Sequence, residues 1–428
     1  MSLYRTARLA MRRLFSGAIA QGSIRSALIL FLRLLAQALT LVLLARVLGA
    51  AGFGEFMALA ALSIIFGSLS SLGTHLILLG DVSKDPGSRH EILSFAVPTT
   101  LLVGGGLFLI YNVSAYWAFR GVDVDWNAVA ALGFAEIIVQ PLVNIASMEL
   151  LAYGQIARSQ LMNILPLLLR LLALIGVFVL SLEVSLTFFS VAYLMACVIG
   201  LIFALHILPE SWPRVKAWRI LTPLEFHRSI GYAVLNLTYL GPNEIDKVVA
   251  IKLVPAEVAG LYGVGNRIIG AVTLPIVALL TAAMPQMFRE SDGAFPRNHS
   301  RLNLLILLIA LIYGGFASVA LYLALPFFEW LFGAGYSNLG AVMPWLAVAI
   351  PGLALRMAVG AILVTQSRPW VVAAIELFGM GCLLFAALVF TRDFMYSGMS
   401  MALALAEWCM ALVGVRMILF PLRMRGGS

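Results

Sequence analysis

Long apolar runs, each closed by a short polar turn, recur along the chain from residue 25 to residue 420. We read twelve of them, at 25–46, 55–79, 92–112, 127–148, 161–180, 185–206, 230–251, 258–283, 302–325, 338–364, 370–390 and 398–420. A helix of about twenty residues rises about 30 Å, the thickness of a bilayer's hydrocarbon core. The runs are apolar around the whole helix rather than along one stripe, so their surroundings must be lipid or other spans. The pattern predicts an all-α polytopic membrane protein with twelve transmembrane helices. The longest connection, 207–229, splits these into two sets of six. The expected organisation is a basic leader (1–22), a first lobe (23–206), an inter-lobe linker (207–229), a second lobe (230–421) and a tail (422–428).

Composition agrees with this picture: 62% of residues are hydrophobic, 11% are charged, and mean hydropathy is +1.00. The net charge of +8 is explained by topology. With the N-terminus inside, eighteen Lys and Arg fall in inner segments and four in outer ones. That bias places both termini in the cytosol. The leader's Arg5, Arg8, Arg12 and Arg13 then suit the inner leaflet, and nucleic acid is not needed as a partner.

The halves echo one another. Arg46-Val-Leu precedes Gly54-Glu-Phe56, and Lys252-Leu-Val precedes Gly260-Leu-Tyr262, 206 positions later. A weaker echo joins Gln155-Ile-Ala-Arg158 to Gln366-Ser-Arg368. Both echoes link span n with span n+6, which runs the same way. This predicts two parallel lobes related by an axis along the membrane normal, with a central cavity between them.

Charge inside a span is costly unless it is paired or hydrated, so such residues mark a bundle interior or a watery cavity. Arg33, Gln37 and Thr40 share one helical face, as do Glu136, Gln140, Asn144 and Ser147. Asn163 and Arg170 flank Pro166, and Asn243, Asp246 and Lys247 follow Pro242. Arg267, Arg356, Glu376, Glu407 and Arg416 complete the set. We take Arg33, Gln37, Arg170, Asn243, Lys247, Arg267 and Arg356 as candidate substrate-binding groups, because guanidinium groups bind anions bidentately. Glu136, Asp246, Glu376 and Glu407 are candidate ion-coupling acids. Structural ion pairing and snorkelling are the competing readings, above all for Lys247 and Arg416.

Cys197, Cys382 and Cys409 lie in separate apolar runs and read as small buried hydrophobes. His75, His90, His206, His227 and His299 are scattered and form no metal-ligand spacing. No phosphate-loop motif is present, so neither a cofactor nor an ATPase module is expected; the drive is left open, with a proton or sodium gradient as the candidate.

The outer turn Ala45-Arg46-Val-Leu-Gly49, with Gly52-Phe-Gly54-Glu-Phe56, resembles polysaccharide exporters of the multidrug/oligosaccharidyl-lipid/polysaccharide (MOP) superfamily, in their Wzx-like branch. The segment from Asp246 through Gly260-Leu-Tyr262 to Arg267, and Leu331-Phe-Gly333-Ala-Gly-Tyr336, are similar to the same branch. The resemblance runs from about Gln21 to Pro421. It implies a MATE-like fold and a flippase that moves polyprenyl-pyrophosphate-linked oligosaccharides from the inner to the outer leaflet by alternating access. It also implies service to O-antigen, capsule or exopolysaccharide assembly, alongside membrane lipids and a polysaccharide polymerase or chain-length machinery. A cation-coupled multidrug antiporter of the same fold is the first alternative, since such a transporter needs cavity acids. A membrane glycan polymerase or ligase is the second, although the outer loops here are short for an enzyme that must hold donor and acceptor. The chain is not expected to be an enzyme.

Overall fold

A computed structural model describes residues 18–121, 124–180, 185–240, 242–291, 296–366 and 368–419. Most of the expected leader, and the expected tail, lie outside them. Among the described residues the secondary structure is helical, with no strand. Ten stretches are long and apolar enough to cross a membrane, which makes this a multi-pass membrane protein. Twelve spans are consistent with that number. The first stretch, Leu32–Ser70, takes in parts of two expected spans, and the expected seventh span is polar and interrupted.

The first helix, α1 (Ala18–Ser70), bends at Gly49, whose φ of 68° is open to glycine without a Cβ penalty. The second expected span is not continuous. Leu72 and Gly73 both have positive φ, and α2 (Thr74–Lys84) starts afresh after them. Next come α3 (Arg89–Ala118) and α4 (Trp126–Phe134), then a π-turn over Ala135–Val139 and α5 (Gln140–Ala152). Pro141 has no N–H for the carbonyl four residues back, and the ladder widens by one residue to absorb the loss. α6 (Ile156–Val179) and α7 (Leu186–Ile207) follow.

The second half holds α8 (Pro223–Leu240), α9 (Pro242–Leu253), α10 (Ala256–Val272), α11 (Leu274–Ser291), α12 (Pro296–Leu323) and α13 (Leu325–Phe332). It ends in α14 (Leu339–Thr365), α15 (Pro369–Asp393) and α16 (Gly398–Leu419). The chain divides into two compact units, Met1–Val47 with Leu59–Leu240, and Leu48–Ala58 with Gly241–Ser428. In this division the inter-lobe linker belongs to the first unit.

In the first unit the linker is a fixed strap. Arg89, buried at 6% exposure, donates to Glu149 at 2.7 Å, and its far nitrogens reach the Glu210 side chain and carbonyl. Trp212 Nε1 donates to the other Glu149 oxygen at 3.0 Å. Arg219 binds Glu225 bidentately and lies over the Phe95 ring, while Arg228 grips Asp81 at 2.7 Å. Arg228 holds the Asp81 carboxyl below its ordinary value, and Arg219 holds that of Glu225 down at about 2. Arg89 counts as a loop residue by sequence. In the structure it begins a helix and is buried in a charge network.

In the second unit the two echoed glycines meet. A Cβ on Gly54 would stand 2.2 Å from the Ala256 carbonyl oxygen, and one on Gly260 1.8 Å from the Ala50 carbonyl oxygen. Ala50 and Ala256 are also 206 positions apart, so each partner's contact is the other's counterpart. Equivalent residues of the two halves thus cross with backbones touching, as expected around a local two-fold axis.

Candidate functional site

A polar cavity of about 160 Å³ lies within the first unit, lined by Arg33, Gln37, Glu136, Gln140, Asn163, Leu167, Arg170 and Tyr193. Helical spacing explains why these residues converge. Arg33 and Gln37 are one turn apart on α1, Asn163, Leu167 and Arg170 follow one face of α6, and Glu136 lies in the π-turn with Gln140 directly after it. Two glycines let neighbouring helices press on that turn. A Cβ on Gly67 would stand 2.4 Å from the Glu136 carbonyl oxygen, and one on Gly104 would stand 3.0 Å from that of Ile137. The irregular backbone that presents Glu136 is therefore held from two sides.

The cavity's charges are unevenly satisfied. Arg170 stacks on the Tyr193 ring, its Cζ 3.9 Å from the centroid, and donates through Nε to the Pro166 carbonyl at 3.1 Å. The Tyr193 hydroxyl donates to Glu136. Asn163 donates to Ser147 at 2.9 Å. Among the described residues, neither Arg33 nor Arg170 forms an ion pair with a carboxylate. Two guanidinium groups thus reach one polar cavity inside membrane-spanning helices with most of their donors uncommitted.

The second unit treats its charges differently. Arg356 on α14 donates from Nε to Glu407 at 2.7 Å and from Nη1 to Glu376 at 2.5 Å, joining α14, α15 and α16. All three side chains are at most 16% exposed. Asp246 accepts from Tyr262 at 2.6 Å, from Asn266 at 2.5 Å and from Lys247 at 3.0 Å. Lys247 also lies 3.4 Å from Glu244. Arg267 is exposed and belongs to neither cluster, and the Asn243 side chain lies outside the described residues. Arg356, expected to meet substrate, is held instead by two of the acids expected to couple ions. Among the described residues no group of histidines, cysteines or acids could hold a metal ion.

Three residues central to these clusters escape a reading of charges alone: Tyr193, Tyr262 and Asn266. A signal exists for the last two, which sit one helical turn apart with Asp246 in the preceding helix. Tyr193 lies one turn before Cys197 in an otherwise apolar run and carries no such mark.

Comparison with known proteins fits this geometry. The fold matches a multidrug-resistance MATE transporter of the MOP superfamily in its inward-facing conformation, at 15% identity and TM-score 0.72, over 92% of this chain and 96% of that one. It matches the lipid II flippase MurJ, in an inward closed conformation, at 12% identity and TM-score 0.68, over 91% and 87% of the two chains. A MOP transporter from Pyrococcus furiosus, whose binding pocket is described as reversed in polarity, matches at 16% identity and TM-score 0.61, over 94% and 95%. No curated protein sequence matches the chain significantly. The family model for polysaccharide biosynthesis proteins matches residues 19–290, well over half the chain, and the protein belongs to that family, with the fold of the MOP superfamily.

Proposed function

We propose that this protein is a flippase that carries a polyprenyl-pyrophosphate-linked oligosaccharide from the inner to the outer leaflet of a bacterial plasma membrane, with both termini in the cytosol. The observation that carries the reading is the pair of uncommitted arginines, Arg33 and Arg170, in the polar cavity of the first unit. A pyrophosphate leaving water for a low-dielectric site needs charged donors in place of its hydration. Two guanidinium groups, with Gln37, Gln140 and Asn163 beside them, supply that chemistry. The glycan and the polyprenyl chain are far too large for 160 Å³, so the cavity would hold the headgroup only. Membership of a polysaccharide biosynthesis family supports a glycan-linked cargo. Arg267, exposed on α10, is a further contact for the same cargo, whereas Arg356 and Lys247 serve as counterions.

Among the described residues of the second unit's two clusters, four acids, Asp246, Glu376, Glu407 and Glu244, accompany two bases, Arg356 and Lys247. Such an excess of buried acid calls for a proton or a cation. We assign the coupling to a proton or sodium gradient to that cluster. The same excess favours one second reading, a cation-coupled exporter of cationic drugs.

Reconstitution separates the two. Proteoliposomes carrying a fluorescent polyprenyl-pyrophosphate oligosaccharide, or a cationic dye, are assayed for leaflet transfer. Transfer of the glycolipid with no dye export is expected. Dye export without glycolipid transfer would discard the flippase.

A further inference from the structure

We propose that the outward face of the strap docks on anionic phospholipid headgroups, in the leaflet at which α7 ends. The inference is independent of the polar cavity and of which leaflet faces the cytosol. The strap is held at the level of the membrane surface. It leaves α7 at Ile207, the last residue of a stretch long enough to span. It is then tied to the ends of two further stretches, Pro86–Ala118 and Trp126–Ala152. Arg89 reaches Glu210, Glu149 accepts from Trp212, and the Arg219 backbone N–H donates to the Ser94 carbonyl at 3.0 Å. The Pro86–Ala118 stretch has 33 residues, well beyond the ~20 that cross the hydrocarbon, so its first turns stand among the headgroups.

The two sides of the strap differ. Trp212, Trp218 and Leu221 pack inward on the core that holds Ile77, Leu93 and Phe95. Outward, Val215 is 69% exposed, and Ile220 and Leu224 are 80% exposed each. Against the acyl boundary of a bilayer that apolar area would leave water. A single turn over Val215–Ala217 fixes the arrangement. The Ala217 N–H donates to the Arg214 carbonyl at 2.8 Å, and Trp218 Nε1 donates to the Pro213 carbonyl at 3.1 Å. A face held this way loses little freedom on docking.

Charge selects the partner. Arg89, Arg219 and Arg228 each hold a carboxylate. Arg214 and Lys216, exposed on either side of Val215, form no ion pair among the described residues. Two bases facing out beside exposed aliphatic side chains match a surface that is apolar beneath and negative above. An anionic leaflet has both properties, whereas a zwitterionic one supplies the apolar contact without the charge.

The test is the melting temperature of the full chain in nanodiscs of phosphatidylcholine, with and without about a third of phosphatidylglycerol, since a ligand of the folded state raises it by mass action. Phosphatidylglycerol should raise wild-type melting by roughly 2–4 °C. Arg214→Gln/Lys216→Gln should melt like wild type in phosphatidylcholine and lose most of that rise. Lys84→Gln/Arg158→Gln removes two exposed bases outside the strap and should keep it. A rise that the strap variant retains, or that the second variant loses equally, overturns the proposal. So does equal wild-type melting in the two lipids. Wild type decides alone if the strap variant folds poorly: about 0.5 M salt should remove most of the rise, and indifference to salt overturns the docking. A wild-type dimer that Ile220→Ser/Leu224→Ser breaks, with equal melting in both lipids, would give the face to a second copy instead.

Discussion

Arg170 and Arg356 both lie in apolar helices, yet their surroundings differ in kind. Arg170 meets a tyrosine ring and a backbone carbonyl, whereas Arg356 is flanked by Glu376 and Glu407 on two other helices. A guanidinium with two carboxylates has spent its charge on joining helices. One that forms no ion pair among the described residues keeps its donors for a visitor. The contrast teaches that a buried arginine cannot be assigned to substrate or scaffold by its burial or its helix, only by what already occupies its donors.

That contrast predicts opposite phenotypes. The largest effect belongs to Arg356→Ala, which leaves two carboxylates buried without a cation and should cost about 3–5 kcal/mol of stability. Thermal melting of the purified protein reads it. Neutralising the cluster together, with Arg356→Met, Glu376→Gln and Glu407→Gln, should restore most of the loss. A triple variant as unstable as the single one would show that more than charge is at stake.

Next is Gly260→Ala. Its Cβ would overlap the Ala50 carbonyl at 1.8 Å, and backbone cannot step aside as a side chain can. Overpacking of this kind should cost about 3 kcal/mol, again read by melting. Gly54→Ala should cost a similar amount if the two positions are counterparts. A harmless Gly54→Ala beside a damaging Gly260→Ala would break the local two-fold.

In the first unit, Arg170→Lys sharpens the contrast. A lysine keeps the charge but loses the planar stack on Tyr193 and the paired donors. Leaflet transfer should fall roughly tenfold, a charged hydrogen bond being worth about 1.5 kcal/mol or more, while the melting temperature stays near the wild-type value. Loss of stability instead of transfer would make Arg170 a scaffold residue like Arg356.

The smallest effect lies in the strap. Glu225 has its folded value lowered from 4.5 to about 2 by Arg219. Its contribution is therefore present above about pH 4.5 and lost as pH falls towards 2. The pair is partly exposed, so the difference is under about 1 kcal/mol. Comparing wild type with Glu225→Gln at pH 6 and pH 3 should show a smaller wild-type advantage at pH 3 than at pH 6.

Much of this was legible in the sequence. Apolar run length marked the spans, and face-sharing stripes brought Arg33 with Gln37, and Glu136 with Gln140, to the cavity where they sit. The echo at Gly54 and Gly260 marked a real crossing. Pairing was not legible. Arg356 and Glu407 are 51 positions apart, and no periodicity relates one helix to another. The break at Leu72–Gly73 was hidden because both sides are equally apolar. Tyr193 was hidden because a tyrosine in an apolar run reads as core until its hydroxyl finds an acid.

Leaflet transfer of a fluorescent polyprenyl-pyrophosphate glycolipid by the Arg33→Ala/Arg170→Ala double variant, normalised to folded protein in the vesicle, tests the central claim most directly. Transfer below about a hundredth of the wild-type rate, with melting unchanged, is the predicted result, two charged contacts at about 1.5 kcal/mol each being lost. Wild-type transfer by that variant would contradict the account.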